Sequence, residues 1–246
     1  MARRHWKRPS SYLTLSFLIA VGLLLGLGTW QVQRLQQKNQ LAERIADRLT
    51  LTAIALPSAA DLKDPDAQAG LDYRRVRVNG EFLHEAERHW WRPSIGGQAG
   101  YHILTPLRRE GGEIVWIDRG WIPPDLKAPG LRQSGLITGV QHIEGVARFP
   151  SPRGYFTPAD DLVKNIWYSN DPHSLMQGLP PATAFPLIIE AATSVAGGGY
   201  PIPGQTQIIL RNPHLGYAIT WYGLAVALMA VFAAYHWRKD VTHERN

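Results

Sequence analysis

LTLSFLIAVGLLLGLGTW, residues 13–30, and YAITWYGLAVALMAVFAAYHW, residues 217–237, decide how this chain folds, because neither contains an Asp, Glu, Lys or Arg. Each is close to the roughly 20 apolar residues that a helix needs to cross a bilayer. A chain with one such run near each end is expected to be pinned in a single membrane twice, with everything between the runs held on one face. Arg3, Arg4, Lys7 and Arg8 precede the first run, and Arg238 and Lys239 follow the second. Basic residues flanking a span stay on the cytoplasmic side, so both termini are expected inside and the middle outside. Arg34, Lys38 and Arg211 lie on the other side and weaken this asymmetry without reversing it. A cleaved signal peptide is the rival reading, since residues 1–28 have a basic head and an apolar stretch. No Ala-x-Ala site follows, however, and the helical pattern runs on past Trp30 to about residue 48, which favours a retained anchor.

The 246 residues carry a net charge of +6, with a mean hydropathy of −0.19, so a polar middle offsets the apolar ends. Much of the positive excess lies at the N-terminal flank, where it serves topology rather than nucleic acid. The chain has no cysteine, which excludes disulfides, zinc–thiolate sites and thiol redox chemistry. Three methionines are too few for a Met-rich copper carrier.

Between the runs the hydrophobic period changes. Residues 31–49 read as a helical stalk, with Leu35, Leu41, Ile45 and Leu49 on a loose helical repeat. Residues 57–70 read as a loop. From Tyr73 the alternation is that of strands, with candidates at 74–82, 87–92, 101–107, 114–119, 141–149, 165–169, 185–191 and 207–210. Asn79-Gly80 reads as a turn or bulge, 108–112 as a hairpin connection, and Asp171-Pro172 as the start of a short helix. The expected fold is a membrane hairpin of two transmembrane helices carrying an inserted, mainly antiparallel α+β domain, barrel-like and extracytoplasmic. Its segments are a basic N-terminus (1–11), a first span (12–30), the stalk and β domain (31–211), a second span (214–236) and a C-terminal tail (237–246).

No P-loop, dinucleotide-binding glycine fingerprint, Gly-x-Ser-x-Gly elbow or His-Glu-x-x-His motif is present. Asp160 and Asp161 are adjacent, and neighbours in a strand or loop point apart, so a solvated loop accounts for them better than an acid/base pair. His84, His89, His102, His142 and His173 show no ligand spacing. His214 differs. In RNPHLGYAITWYGLA, Asn212 reads as an N-cap and Pro213 as the first helical residue, which puts His214 in the first turn of the second apolar helix. On a helical wheel it shares a stripe with Ala218, Trp221, Ala225, Leu228 and Phe232. The positive end of the helix dipole disfavours an imidazolium, and neutral imidazole is the form that binds haem iron. An interfacial polar side chain facing headgroups is the other reading. On the first helix, Gly22 and Gly26 form a small-xxx-small pair suited to close packing. Trp30 and Arg34 read either as an aromatic belt with a snorkelling cation or as a guanidinium that pairs with an acidic group such as a porphyrin propionate. Arg211 is a cation of the same kind beside the second helix.

GTWQVQRLQQK, YRRVRVNGEF, GYHILTPL with WIDRGWIP, NIWYSND and RNPHLGYAITWYGLA together resemble the surfeit locus protein 1 family, in the family's order and from about residue 28 to 237. The resemblance implies a non-enzymatic assembly factor for haem-copper cytochrome oxidases. A bacterial member would sit in the cell inner membrane with its central domain periplasmic. It also implies binding of haem A for insertion into oxidase subunit I, with His214 as the residue matching the family's proposed haem histidine. Trp221, Arg34 and Arg211 complete the expected haem-binding set. Subunit I and a haem A synthase are the implied protein partners, beside the lipid bilayer; nucleic acid is not. The runner-up function is a haem-free, membrane-anchored chaperone that stabilises an assembly intermediate through its β domain, with Arg119 and Trp121 either on a docking face or as a buried cation–π pair.

Overall fold

The computed structural model describes residues 4–6, 9–194, 199–206 and 212–239, of which 4–6, 238 and 239 are described by backbone alone. In chain order the elements are β1 (Arg4–Trp6), α1 (Ser11–Thr50), β2 (Ile54–Ala55), α2 (Pro65–Leu71), β3 (Arg75–Phe82), β4 (Arg88–Trp91), β5 (Tyr101–Arg108), β6 (Ile114–Ile122), β7 (Val140–Arg148), β8 (Ile166–Trp167), α3 (Pro172–Leu175), β9 (Ala184–Ala191), α4 (His214–His236) and β10 (Trp237–Lys239). The strand expected at 207–210 lies outside the described residues. Two compact units result, one built from the chain ends and one from Ile45–Ile208.

In the terminal unit, α1 and α4 are both long and apolar enough to cross a membrane, with mean hydropathies of 2.0 and 1.7 over their most apolar windows. Only 6% and 11% of those windows is buried, so the apolar side chains point outward instead of forming a soluble core. The stalk and the first apolar run are one uninterrupted helix of 40 residues. The helices run antiparallel along a seam whose spacing alternates between four and three: Phe17, Val21, Leu24, Gly28 and Gln31 on α1, and Ala218, Trp221, Ala225, Leu228 and Phe232 on α4. A 3.5-residue period keeps such a stripe facing its partner. Phe17 stacks on Phe232 with ring centroids 3.9 Å apart, and Thr29 Oγ1 lies 3.1 Å from the Tyr222 hydroxyl. The close approach falls at Gly28, where a Cβ would sit 2.8 Å from the Tyr222 ring. Gly22 and Gly26, the expected small pair, have nothing within 4 Å of a Cβ and do not make that contact. Beyond the helices, β1 and β10 pair antiparallel with Arg4 opposite Lys239, so residues 4–6 and 237–239 lie side by side.

The other unit is an eight-stranded sheet in the order β2-β3-β7-β9-β6-β5-β4-β8. It is mainly antiparallel; β2–β3, β4–β8 and β6–β9 are the parallel pairs. β3 also meets β5 through Glu81↔Arg108 and Phe82↔Leu107, and the barrel-like part of the expectation rests on those two residue pairs alone. Val76, Val78, Leu107, Val115, Ile117, Phe185, Leu187 and Ile189 form the main core. Leu104, Trp116, Trp167, Leu175 and Ile188 form a second cluster. Each of β5, β6 and β9 contributes to both, which is why all nine residues of β6 are buried and the strand reads as a near-continuous apolar run.

Most strands fall where alternation places them, and the hairpin at 108–112 forms, closed by Arg109 N–H to Glu113 O at 2.9 Å. Asp171 caps α3 by accepting from His173 and Ser174 N–H. Three local readings change. Asn79-Gly80 lies inside β3 and is no turn; a Cβ on Gly80 would meet Arg108 O at 2.5 Å, so this glycine admits the β5 backbone. The loop at 57–70 contains most of α2, capped by Asp64. Pro213, not Asn212, is the cap residue of α4, and it makes no side-chain cap bond.

Candidate functional site around His214

His214, half-buried at the start of α4, turns its imidazole towards α1, where its Nδ1 lies 2.6 Å from Gln31 Oε1. With the Gln31 oxygen accepting, Nδ1–H donates and the lone pair sits on Nε2, the nitrogen a metal would take. The Trp30 ring stands edge-on to the imidazole, 6.5 Å between centroids at 82°, and the Arg34 guanidinium lies 5.8 Å over Trp30. Arg34 also donates to Gln37 Oε1 at 3.0 Å and stays exposed. Asn212 Nδ2 reaches across to Asn39 Oδ1 at 2.9 Å, which is what its side chain does in place of capping.

Of the four expected haem contacts, then, the structure gathers His214 and Arg34, with Trp30 between them. Trp221 stands two turns further along the same stripe, half-buried. Arg211 lies outside the described residues. The residue that sequence reading missed is Gln31. Its signal was present: it is the first polar residue after the apolar run, and it falls on the seam three positions beyond Gly28.

The stripe's two small positions do not leave a slot. Ala218 is 3% exposed and Ala225 is fully buried. The donor set fits an iron porphyrin in chemistry: one imidazole with its second nitrogen engaged, a flat exposed indole and an unneutralised cation. The space between the helices does not, so only the open side of His214 remains for such a ligand.

The surfeit family resemblance can be tested directly. A family model described as "SURF1 family" matches residues 18–226. The chain belongs to the SURF1 family. The SURF1 match takes in most of α1, the whole sheet and the first half of α4, His214 included. The chain is 32% identical over 233 residues to Surfeit locus protein 1 of Takifugu rubripes, covering 88% of this chain and 94% of that one. It is 32% identical over 234 residues to the human Surfeit locus protein 1, covering 88% and 75%. Against the SURF1-like protein of Monosiga brevicollis it is 34% identical over 219 residues, covering 84% and 81%.

Elsewhere in this SURF1 chain the sheet and the loops packed on it bury several charged groups. Arg119 is 4% exposed; it bonds Gly135 O and lies 5.0 Å over the Phe82 ring. Trp121 is buried as well, so this pair is no docking face, and the cation–π partner is Phe82. Burial pushes the Arg119 guanidinium down to about 10, with the Glu87 carboxylate opposing and Arg132 adding to the shift. Glu87 and Arg132 form a buried ion pair, with His89 Nε2 3.2 Å from Glu87. Burial alone would raise the Glu87 carboxyl, but contacts with His89 and Arg132 outweigh it and hold the group below its ordinary value. His84, whose Nε2 lies 2.6 Å from Ile137 O, is held below its ordinary value by burial, against the pull of that bond and with help from Arg119. His102 Nδ1 is 2.7 Å from Asp118 Oδ2, and Asp118 Oδ1 accepts the Gly120 N–H at 2.9 Å. The Arg119–Gly135, Glu87–Arg132, His84–Ile137 and His102–Asp118 contacts each tie one strand or loop to another. Asp160 pairs with Arg153 and Asp161 with Lys164, as loop carboxylates do. Among the described residues, no group of three or more His, Asp or Glu could hold a metal ion.

Proposed function

We propose that this protein is a non-enzymatic, membrane-anchored assembly factor for a haem-copper cytochrome oxidase, in the inner membrane of a bacterium. Both termini are cytoplasmic, and a barrel-like β domain is carried outside. Its cargo is haem A, destined for oxidase subunit I. His214 would hold the haem iron, with its tautomer set by Gln31, and Arg34 would pair with the propionates together with Arg211, as expected from the sequence. Trp30 and Trp221 offer flat apolar walls. The single observation that carries this reading is the Gln31–His214 bond, which orients the imidazole at the end of an apolar helix in a SURF1-family chain. Second-sphere partners of this kind orient ligating histidines and raise their basicity.

The decisive experiment is co-expression with haem A synthesis, followed by visible spectra of the purified protein. A haem band that is lost in His214→Ala and shifted in Gln31→Leu supports the assignment. No band, or one unchanged in His214→Ala, refutes it. A haem-free chaperone is the second reading, favoured by the packed Ala218 and Ala225 and by the structural use His214 already has in holding the helix pair. It expects His214→Ala to leave oxidase maturation intact.

A further inference from the structure

In the terminal unit, α1 and α4 leave an open groove of about 420 Å³ at the end from which both chain termini emerge. Its walls are Leu13, Ser16 and Ala20 of α1 and Leu228, Val231 and Tyr235 of α4, each set spaced by three and then four residues and so aligned on one helix face. Seven residues of helix rise roughly 10 Å, about two-thirds of the depth of one leaflet in a hydrocarbon core of about 30 Å. The Phe17–Phe232 stack joins the two helices within the groove. His236, the last residue of α4, lines its terminal end with Nδ1 2.9 Å from Phe232 O. Beyond that end the chain is strongly basic. Residues 1–10 and 237–246 hold seven Lys or Arg against two acids, Asp240 and Glu244, and so carry five of the chain's six net positive charges. β10 begins at the residue after α4, and its pairing with β1 sets Arg4 opposite Lys239 and His5 opposite Arg238. The basic residues of both chain ends are thus gathered beside one end of an apolar groove. Exposed Tyr12, Tyr235 and Trp237 fall at the same level, where an aromatic belt meets the head groups.

We propose that this end of the helix pair binds one anionic phospholipid, with an acyl chain in the groove and the phosphate among the basic residues that the β1–β10 pairing brings together. The apolar walls take a hydrocarbon chain, and the charge beyond them selects the head group, because basic segments next to a membrane helix attract anionic lipid over a short range. A second copy of this chain in the same orientation would cover the same walls but bring its own basic ends to the same level, so that like charges meet. The apolar span of a partner helix would leave those charges unanswered. The inference rests on the membrane-anchored reading and is independent of haem, since His214 stands at the other end of α4.

The test needs no haem. The full chain, purified in detergent, is offered an equimolar mixture of phosphatidylglycerol and phosphatidylcholine with the same acyl chains, and bound lipid is counted by native mass spectrometry. One phosphatidylglycerol per chain is expected, retained about tenfold over phosphatidylcholine. Arg238→Gln/Lys239→Gln should cut that preference to about twofold or less, while the N-terminal cations remain to hold the orientation. Ser16→Trp should abolish retention by filling the groove, whereas Leu23→Trp, at another exposed position outside the groove, should not. Equal retention of the two lipids, no retained lipid, or retention indifferent to Ser16→Trp overturns the proposal. A lipid-free dimer gives the groove to a second copy and overturns it as well. A chain that stays in solution without detergent would refute the membrane anchor itself, which is a separate failure.

Discussion

Replacing Gly120 with alanine tests how tightly the sheet is closed by the 199–204 segment. Gly120 interrupts β6 with φ +118, a conformation that side-chain-bearing residues rarely adopt, and an added Cβ would lie 2.0 Å from Ile202 O and 2.3 Å from Ile202 C. Both are backbone atoms, so no side chain can swing away. The strain of holding alanine at this φ is about 1–3 kcal/mol. Relieving the clash means moving Ile202 outward by roughly 1 Å, which breaks its two 2.9 Å bonds with Trp121, N–H to O in each direction; these contribute about 0.5–1.5 kcal/mol apiece. The loss is therefore about 4 kcal/mol, a large part of the ~5–15 kcal/mol that separates folded from unfolded domains. It should appear as a fall of roughly 10 °C in apparent melting temperature, followed by tryptophan near-ultraviolet circular dichroism on the full chain in detergent. Gly130→Ala, whose Cβ would have nothing within 4 Å, is the control and should be silent. A Gly120→Ala protein that melts within about 2 °C of the parent would refute the argument.

Three further outcomes follow from the same structure. Gly28→Val should pry the helix pair apart at Tyr222, reducing crosslinking between cysteines placed at positions 17 and 232, whereas Gly22→Ala should leave the yield unchanged. Stability should fall on acidification through two groups. His84 is held below its ordinary 6.5, so below that pH the unfolded chain takes up a proton that the fold resists. Glu87 is held below 4.5, so its contribution is complete above that value and is lost as pH falls through the lower folded one. Equilibrium denaturation against pH reads both limbs. Glu87→Gln should flatten the lower limb and cost about 3–5 kcal/mol, because Arg132 is left buried without its carboxylate.

How much of this was legible beforehand varies with the kind of interaction. The two apolar helices, the start of α3 and seven of the eight strand candidates could be read locally, because period and capping are properties of neighbouring residues; the eighth lies outside the described residues. The His214 stripe was also legible, since Ala218, Trp221, Ala225, Leu228 and Phe232 do face α1. What was misread was what fills the space in front of it. Small residues look the same in a sequence whether a ligand or another helix lies against them, and Gly28, not Gly22 or Gly26, is where the helices touch. β2 escaped notice because Ile54-Ala55 extends no alternation beyond itself, and α2 because its Asp64-Pro65 start, the same cap signal that marks α3, lies in a stretch whose Asp, Ala and Pro content reads as a loop.

By itself, the sequence determined that the chain ends are apolar helices, that the middle is a sheet, and that cysteine chemistry is absent. Those follow from composition and from periods of 3.6 and 2, which act within one segment. Only the tertiary structure decided that His214 is held by Gln31, that Arg119 is buried over Phe82 instead of facing a partner, and that the basic chain ends pair beside the groove of Phe17 and Phe232. Each of these joins residues far apart in the chain, at distances set by strand order and helix packing, and no local pattern encodes which distant side chain will fill a given space.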